Sequence, residues 1–299
     1  MKICRFNDQR YGVVKDDQVY DVTALVEPLL PHPLKVKGDP LMANLAAIRA
    51  KLEGVKLDGP TTPVKQAKFL SPIAFPTKIL NAPVNYDLHI AESKADAGIN
   101  FGRAPLTIGA AGLFLKANSA LVGAGEGVSV RFPDRRTDHE LELGIIVGKV
   151  ADDVPEDKAF EYIGGYAIAL DMTVRGTEDR SFRKSIDSYA VLGPWMITAD
   201  EMPNPLDEHF VLKVNGEKRQ EASTKDMIYD IPTLIGWASR WYTLYPGDII
   251  MSGTPSGVGP VGDGDVMTCS FDHIGTMDVK VRAHKTQSFG SAAREKSKG

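Results

Sequence analysis

Two carboxylates two residues apart open the chemistry of this chain. In Asp138-His139-Glu140-Leu141-Glu142-Leu143-Gly144 a strand of period two projects Glu140 and Glu142 from one face and Leu141 and Leu143 from the other. Such a pair repels itself unless a cation lies between, and hard divalent cations take oxygen ligands. A solvent-facing edge of an antiparallel sheet would carry the same pattern with no ion at all. A second segment, Tyr166-Ala167-Ile168-Ala169-Leu170-Asp171-Met172, is apolar on both faces, reads as buried and carries a single acid. A carboxylate there is costly unless it is paired or ligates a metal. Glu140, Glu142 and Asp171 together offer three oxygens and leave positions for water and substrate, as magnesium or manganese chemistry requires.

A third group lies in Asn85-Tyr86-Asp87-Leu88-His89-Ile90-Ala91-Glu92, where His89 and Glu92 sit three apart and share one side of a short helix. A carboxylate accepting from the ring N–H fixes the imidazole tautomer and raises its basicity, which suits activation of a water. A surface contact has the same spacing. Flanking Pro and Gly residues suggest a mobile lid. Gly257-Val258-Gly259-Pro260-Val261-Gly262 spells a dinucleotide fingerprint, but Pro260, Asp263, Gly264 and Asp265 lead into a strand rather than the helix that must meet a pyrophosphate. It reads as a turn-rich loop.

The elements that position these residues are mostly strands. Three short apolar pieces in residues 2–24 form an antiparallel meander, and Pro40 to Glu53 carries Leu41, Leu45, Ile48 and Leu52 at helical spacing. The Pro-, Gly- and Thr-rich stretch 54–76 is the joint, which divides the chain into a small N-terminal α+β domain, 1–70, a β-rich domain, 71–285, and a frayed tail, 286–299. Beyond the joint, strands are predicted at 112–116, 127–131, 140–147, 166–174, 209–214, 247–252, 265–271 and 276–281. Asn215-Gly216 marks a tight hairpin. Three further helices are predicted, 86–97, 155–163 and 230–244, the last capped by Asp230 with Pro232 in its first turn. This is a β-rich α+β architecture, not a doubly wound sheet.

With 299 residues, 43% hydrophobic, the chain has ample length for a core. Its 35 Lys and Arg against 39 Asp and Glu give a net charge of -4, with no basic field to hold a nucleic acid. Cys4 and Cys269 form neither a disulfide framework nor a thiolate cage. No signal-peptide run and no stretch of roughly 18 uncharged apolar residues occurs, so no membrane partner is expected and the cytoplasm is the expected compartment.

Taken in order, Asn85-Tyr86 with His89 and Glu92, Glu140 with Glu142, Asp171-Met172-Thr173-Val174-Arg175, Lys184-Ser185-Ile186-Asp187, Leu192-Gly193-Pro194-Trp195, Val214-Asn215-Gly216-Glu217 with Arg219-Gln220, Pro246-Gly247-Asp248 and Ser252-Gly253-Thr254-Pro255 resemble the fumarylacetoacetate hydrolase family. The resemblance implies a mixed β-sandwich or β-roll catalytic domain behind a small N-terminal domain, usually as a homodimer. It implies that Glu140, Glu142 and Asp171 bind Mg²⁺, Mn²⁺ or Ca²⁺, that His89 and Glu92 are a catalytic dyad, that Lys184 reaches the substrate, and that Arg175 and Thr254 touch it.

The implied activity, in aromatic catabolism, is hydrolysis of a carbon–carbon bond in a 2,4-dioxo acid such as an acylpyruvate or fumarylpyruvate, whose electrons pass into a pyruvate enolate held by the cation. Oxaloacetate-type decarboxylation and hydroxymuconate-type isomerisation would use the same site. A non-catalytic binding relative would have lost the costly buried acids, and all are present. One departure stands out: where many relatives have a glutamine this chain has Glu178, an acid that would repel an anionic substrate unless Arg175, Arg180 or Arg183 neutralises it or it turns outward to pair with one of them. Leu80-Asn81-Ala82-Pro83-Val84, where a Gly-containing approach is common, alters the hinge.

Overall fold

A computed structural model describes residues 1–101 and 104–284. The predicted tail, 286–299, lies outside them. Lys2–Phe6, Arg10–Lys15 and Gln18–Asp21 form the expected meander. The first of these strands also pairs with Ala190–Thr198, a strand that sequence reading passes over because Gly193-Pro194 interrupts its alternation. One large mixed sheet therefore runs, among the described residues, from Thr61–Pro63 through the meander, Ala190–Thr198, Ile163–Asp171, Leu141–Val147, Ile249–Met251 and Ile79–Asn81 to Phe114–Lys116.

Both faces of this sheet are covered, which is why its central strands read as near-continuous apolar runs. On one face Leu141, Leu143, Ile145 and Val147 share a core with Phe210, Leu212, Met267 and Phe271 of a second, five-stranded sheet. On the other, Ile146, Ala167, Ala169 and Met251 pack with Leu41, Met42, Ile48 and Leu52. The second sheet is ordered Glu217–Ser223, His209–Val214, Val266–Phe271, Gly275–Ala283, Val128–Val130. Its first two strands are joined at Asn215-Gly216, both at positive φ as a two-residue turn demands.

The helices differ in detail from the periodic reading. The predicted 40–53 helix is broken at Asn44 into Pro40–Ala43 and Leu45–Glu53, with the Asn44 side chain donating to Leu29 O at 2.6 Å. Residues Glu156–Tyr162 form a 3₁₀ run against helix Ile231–Trp241; so short a segment takes its geometry from packing. Asp87–Ala95 and Ile231–Trp241 are helical as read, the latter capped by Asp230, which accepts from Thr233 N at 3.0 Å. Arg180–Lys184, a short helix absent from the sequence reading, is capped by Asp179. No helix among the described residues is long and apolar enough to cross a membrane.

Candidate functional site

Two neighbouring strands leave the large sheet at the same level, and the acids sit at that point. Glu140 lies between Thr137–His139 and Leu141–Val147, while Asp171 ends Ile163–Asp171 before Thr173–Val174. Thr137–His139 and Thr173–Val174 then pair in a small separate sheet. The Asp171 N–H donates to Glu140 O at 2.9 Å, which fixes the relative register. Glu142 stands opposite Ala169 and Asp171 opposite Ala190, so small neighbours leave room for three carboxylates on one face. The strand Leu141–Val147 is central and Glu140, Glu142 and Asp171 are all buried, which rules out the solvent-facing edge as their setting.

One oxygen from each of Glu140, Glu142 and Asp171 can be chosen so that all lie within 4.8 Å of one another. Lys184 Nζ bridges Glu140 Oε2 at 2.5 Å and Asp171 Oδ2 at 2.6 Å, and Lys116, buried, pairs with the other Asp171 oxygen. Arg175 donates to Glu140 Oε1 at 2.9 Å and to Asp138 Oδ2 at 2.8 Å. Burial alone would raise Glu140, but the Lys184 ammonium and Arg175 guanidinium overcome it and hold the carboxyl well below its ordinary range. Glu142 behaves oppositely. It accepts from Gly253 N at 2.7 Å and, among the described residues, has no cationic partner, so burial and then the Asp171 charge push it well above the usual range. A buried carboxylate lacking a counter-charge beside two others fits a hard divalent cation, for which an all-oxygen donor set is the right chemistry.

Above the acids lies the helix Asp87–Ala95. His89 Nδ1 and Glu92 Oε2 are 2.8 Å apart, and Glu92 Oε1 accepts from Gly257 N at 2.8 Å. The glycine-rich loop thus holds the Glu92 carboxylate in place against His89. Gly257 has φ +95°, and a Cβ there would lie 1.9 Å from Arg219 O, so no side chain fits without moving the loop. Asn85 pins the start of this helix by donating to Ser252 O at 2.8 Å and Tyr229 O at 2.9 Å. Arg136, bonded to Asp138 at 2.7 Å and Asp96 at 2.8 Å, pins its far end.

A cavity of about 600 Å³ is lined by His89, Glu140, Glu142, Arg175, Lys184, Thr254 and Glu178, bringing the candidate residues together; Asp171 and Glu92 stand one contact behind it. The Thr254 hydroxyl donates to Leu141 O at 2.9 Å and accepts from Gln220 Nε2 at 2.8 Å, so its polar end is already engaged. Glu178 pairs with none of the three arginines named from the sequence. Arg135 grips it at 2.8 Å on both oxygens and also donates to Arg175 O at 2.8 Å, and this pulls the Glu178 carboxyl down to about 2. Sequence reasoning missed Arg135 and Lys116, and it quoted Gln220 only within a motif, with no place in the site. Each lies at least 34 residues from its partner in the site, and a lysine in the short strand Phe114–Lys116 has the look of a solvated one.

The profile of the fumarylacetoacetate (FAA) hydrolase C-terminal family matches residues 78–282. A maleylpyruvate hydrolase of Aquipseudomonas alcaligenes is 51% identical over 286 residues, covering 95% of this chain and all of that one. The crystal structure of maleylpyruvate hydrolase from Sphingobium sp. SYK-6, in complex with manganese (II) ion and pyruvate, is 36% identical with a TM-score of 0.80, covering 95% of this chain and all of that one. The mitochondrial oxaloacetate tautomerase of Homo sapiens is 39% identical over 176 residues, 56% of this chain and 80% of that one. The likeness to the two maleylpyruvate hydrolases runs along nearly the whole of each chain, and this protein belongs to the fumarylacetoacetate hydrolase family.

Proposed function

We propose that this protein is a divalent-metal-dependent hydrolase that cleaves the carbon–carbon bond between C3 and C4 of a 2,4-dioxo acid, releasing pyruvate and a second acid. The observation that carries the reading is that Glu140, Glu142 and Asp171 converge beside the cavity that His89 also lines. The relatives whose names state maleylpyruvate hydrolysis, and the manganese and pyruvate in one of them, support it and make maleylpyruvate the first substrate to test. A Mg²⁺ or Mn²⁺ ion held by the three carboxylates supplies Lewis acidity toward the oxo-acid oxygens.

The chain's own groups do the rest. Because Nδ1 of His89 is engaged by Glu92, Nε2 is the nitrogen left to take a proton from water, which attacks the distal carbonyl. The ammonium of Lys184 places positive charge near the oxyanion that forms there. When the C3–C4 bond breaks its electron pair passes into the pyruvate half, which is protonated at C3; maleylpyruvate and water become maleate and pyruvate. Arg175, fixed by Asp138 and Glu140, and Thr254 shape the wall against which the substrate lies. The reading includes a cytoplasmic protein, supported by the buried free thiols of Cys4 and Cys269, and a boundary near residue 70, supported by a family match that begins at residue 78 although the N-terminal strands join the large sheet; a homodimer is carried over from the family resemblance alone.

The test is an assay of the metal-loaded enzyme on maleylpyruvate, on acylpyruvates of graded length, on oxaloacetate and on a hydroxymuconate-type dienoate. The expected result is pyruvate release from 2,4-dioxo acids, abolished by excess chelator and restored by Mn²⁺ or Mg²⁺. Turnover confined to oxaloacetate or to the dienoate would overturn hydrolysis in favour of decarboxylation, tautomerisation or isomerisation.

A further inference from the structure

The charges lining the cavity fall into two groups. Arg175 and Lys184 are spent on Asp138, Glu140 and Asp171. Arg180 and Arg183 line the same cavity without an ion pair among the described residues, and Nε and Nη1 of Arg183 are buried with no hydrogen-bond partner. The acids nearest them in sequence are already engaged, Glu178 by both ends of Arg135 and Asp179 by the N–H of Ser181, which it caps at 2.8 Å. Guanidinium stays charged under any ordinary condition, and a buried donor left without an acceptor carries a desolvation cost that a ligand can remove.

Position points the same way. Residues 180, 183 and 184 share one side of the short helix, while Phe182, 74% exposed, points to solvent. Arg180 Cζ and Lys184 Nζ each lie 5.4 Å from the centroid of Phe114, so the free guanidinium stands within the span of a short dicarboxylic chain from the ammonium that touches the acid cluster. We propose that Arg180 and Arg183 bind a second carboxylate at the far end of the substrate, so that the enzyme selects dicarboxylic 2,4-dioxo acids over acylpyruvates with neutral tails. This rests on the hydrolase reading above. It also gives the Arg135–Glu178 pair a purpose, since that pair keeps the acid at 178 from occupying the two arginines.

The experiment compares kcat/KM for maleylpyruvate and for a neutral-tailed acylpyruvate of equal length on the metal-loaded enzyme. The wild-type protein is expected to favour the dicarboxylate by at least about tenfold, and Arg180→Gln and Arg183→Gln each to lower that ratio roughly 10- to 100-fold, with Arg183→Lys returning part of it. Equal wild-type rates, or a ratio unchanged in both variants, would overturn the subsite; if a variant fails to fold, the wild-type ratio decides. Should the wild-type protein hydrolyse neither compound, the hydrolase reading has failed, and calorimetric titration of maleate judges the subsite alone. Binding that weakens in both variants supports it, and binding that is absent in the wild type or unchanged in the variants sinks it.

Discussion

The floor and the roof of the cavity are built by different means. On the floor, Glu140, Glu142 and Asp171 project from adjacent central strands whose backbone hydrogen bonds and two apolar cores fix them. In the roof, His89 and Glu92 belong to a nine-residue helix held by a bond from Gly257 to Glu92 and by anchors at Asn85 and Arg136. Rigid strands suit charges that must stay together against their own repulsion, and a lightly tied helix suits the proposed base, which on that reading admits and releases substrate. The two functions should therefore separate on mutation.

The broadest effect, on metal binding and activity together, is expected on the floor. Glu142→Gln keeps the Gly253 hydrogen bond and orphans no lysine, because Glu142 pairs with none, yet it removes a ligand charge. Isothermal titration should show Mn²⁺ affinity lowered by at least about 100-fold, with activity falling alongside. Next comes the roof: His89→Ala or Glu92→Gln should lower kcat roughly 100- to 10,000-fold while leaving the Mn²⁺ isotherm nearly unchanged. Loss of metal binding in the roof variants would erase the distinction. Gly257→Ala sharpens it, for the added Cβ meets Arg219 O and must shift the N–H that holds Glu92. Here kcat should drop about tenfold through a displaced dyad, KM and metal affinity moving little.

The smallest effect concerns Glu178, whose carboxyl is lowered to about 2 by Arg135. A depressed folded-state pKa contributes stability that is present above the ordinary carboxylate range and fades as pH falls through it toward 2. Because the pair is partly exposed and screened by solvent, Glu178→Gln should flatten the acid limb of the melting-temperature profile only slightly, and an unchanged profile would leave the pair without a role in stability.

Much of this was legible beforehand for specific reasons. Alternation placed Glu140 and Glu142 on one side, an unbroken apolar run exposed Asp171 as a buried acid, and three-residue spacing paired His89 with Glu92. Other features left no local trace. Lys116 meets Asp171 across 55 residues, Glu92 meets Gly257 across 165, and Arg135 reaches Glu178 across 43. The helix Arg180–Lys184 is too short to show a period, and Ala190–Thr198 hides behind its Gly-Pro step.

The sequence alone determined which side chains share a face within each element, because that follows from a backbone repeat that every strand and helix obeys. Only the tertiary structure decided that Leu141–Val147 lies against Ile163–Asp171 in the register that brings Asp171 beside Glu140, and that Arg135 rather than Arg180 or Arg183 neutralises Glu178. Those outcomes depend on which distant segments pack together, and packing is settled by the burial of whole faces rather than by any residue's neighbours in the chain.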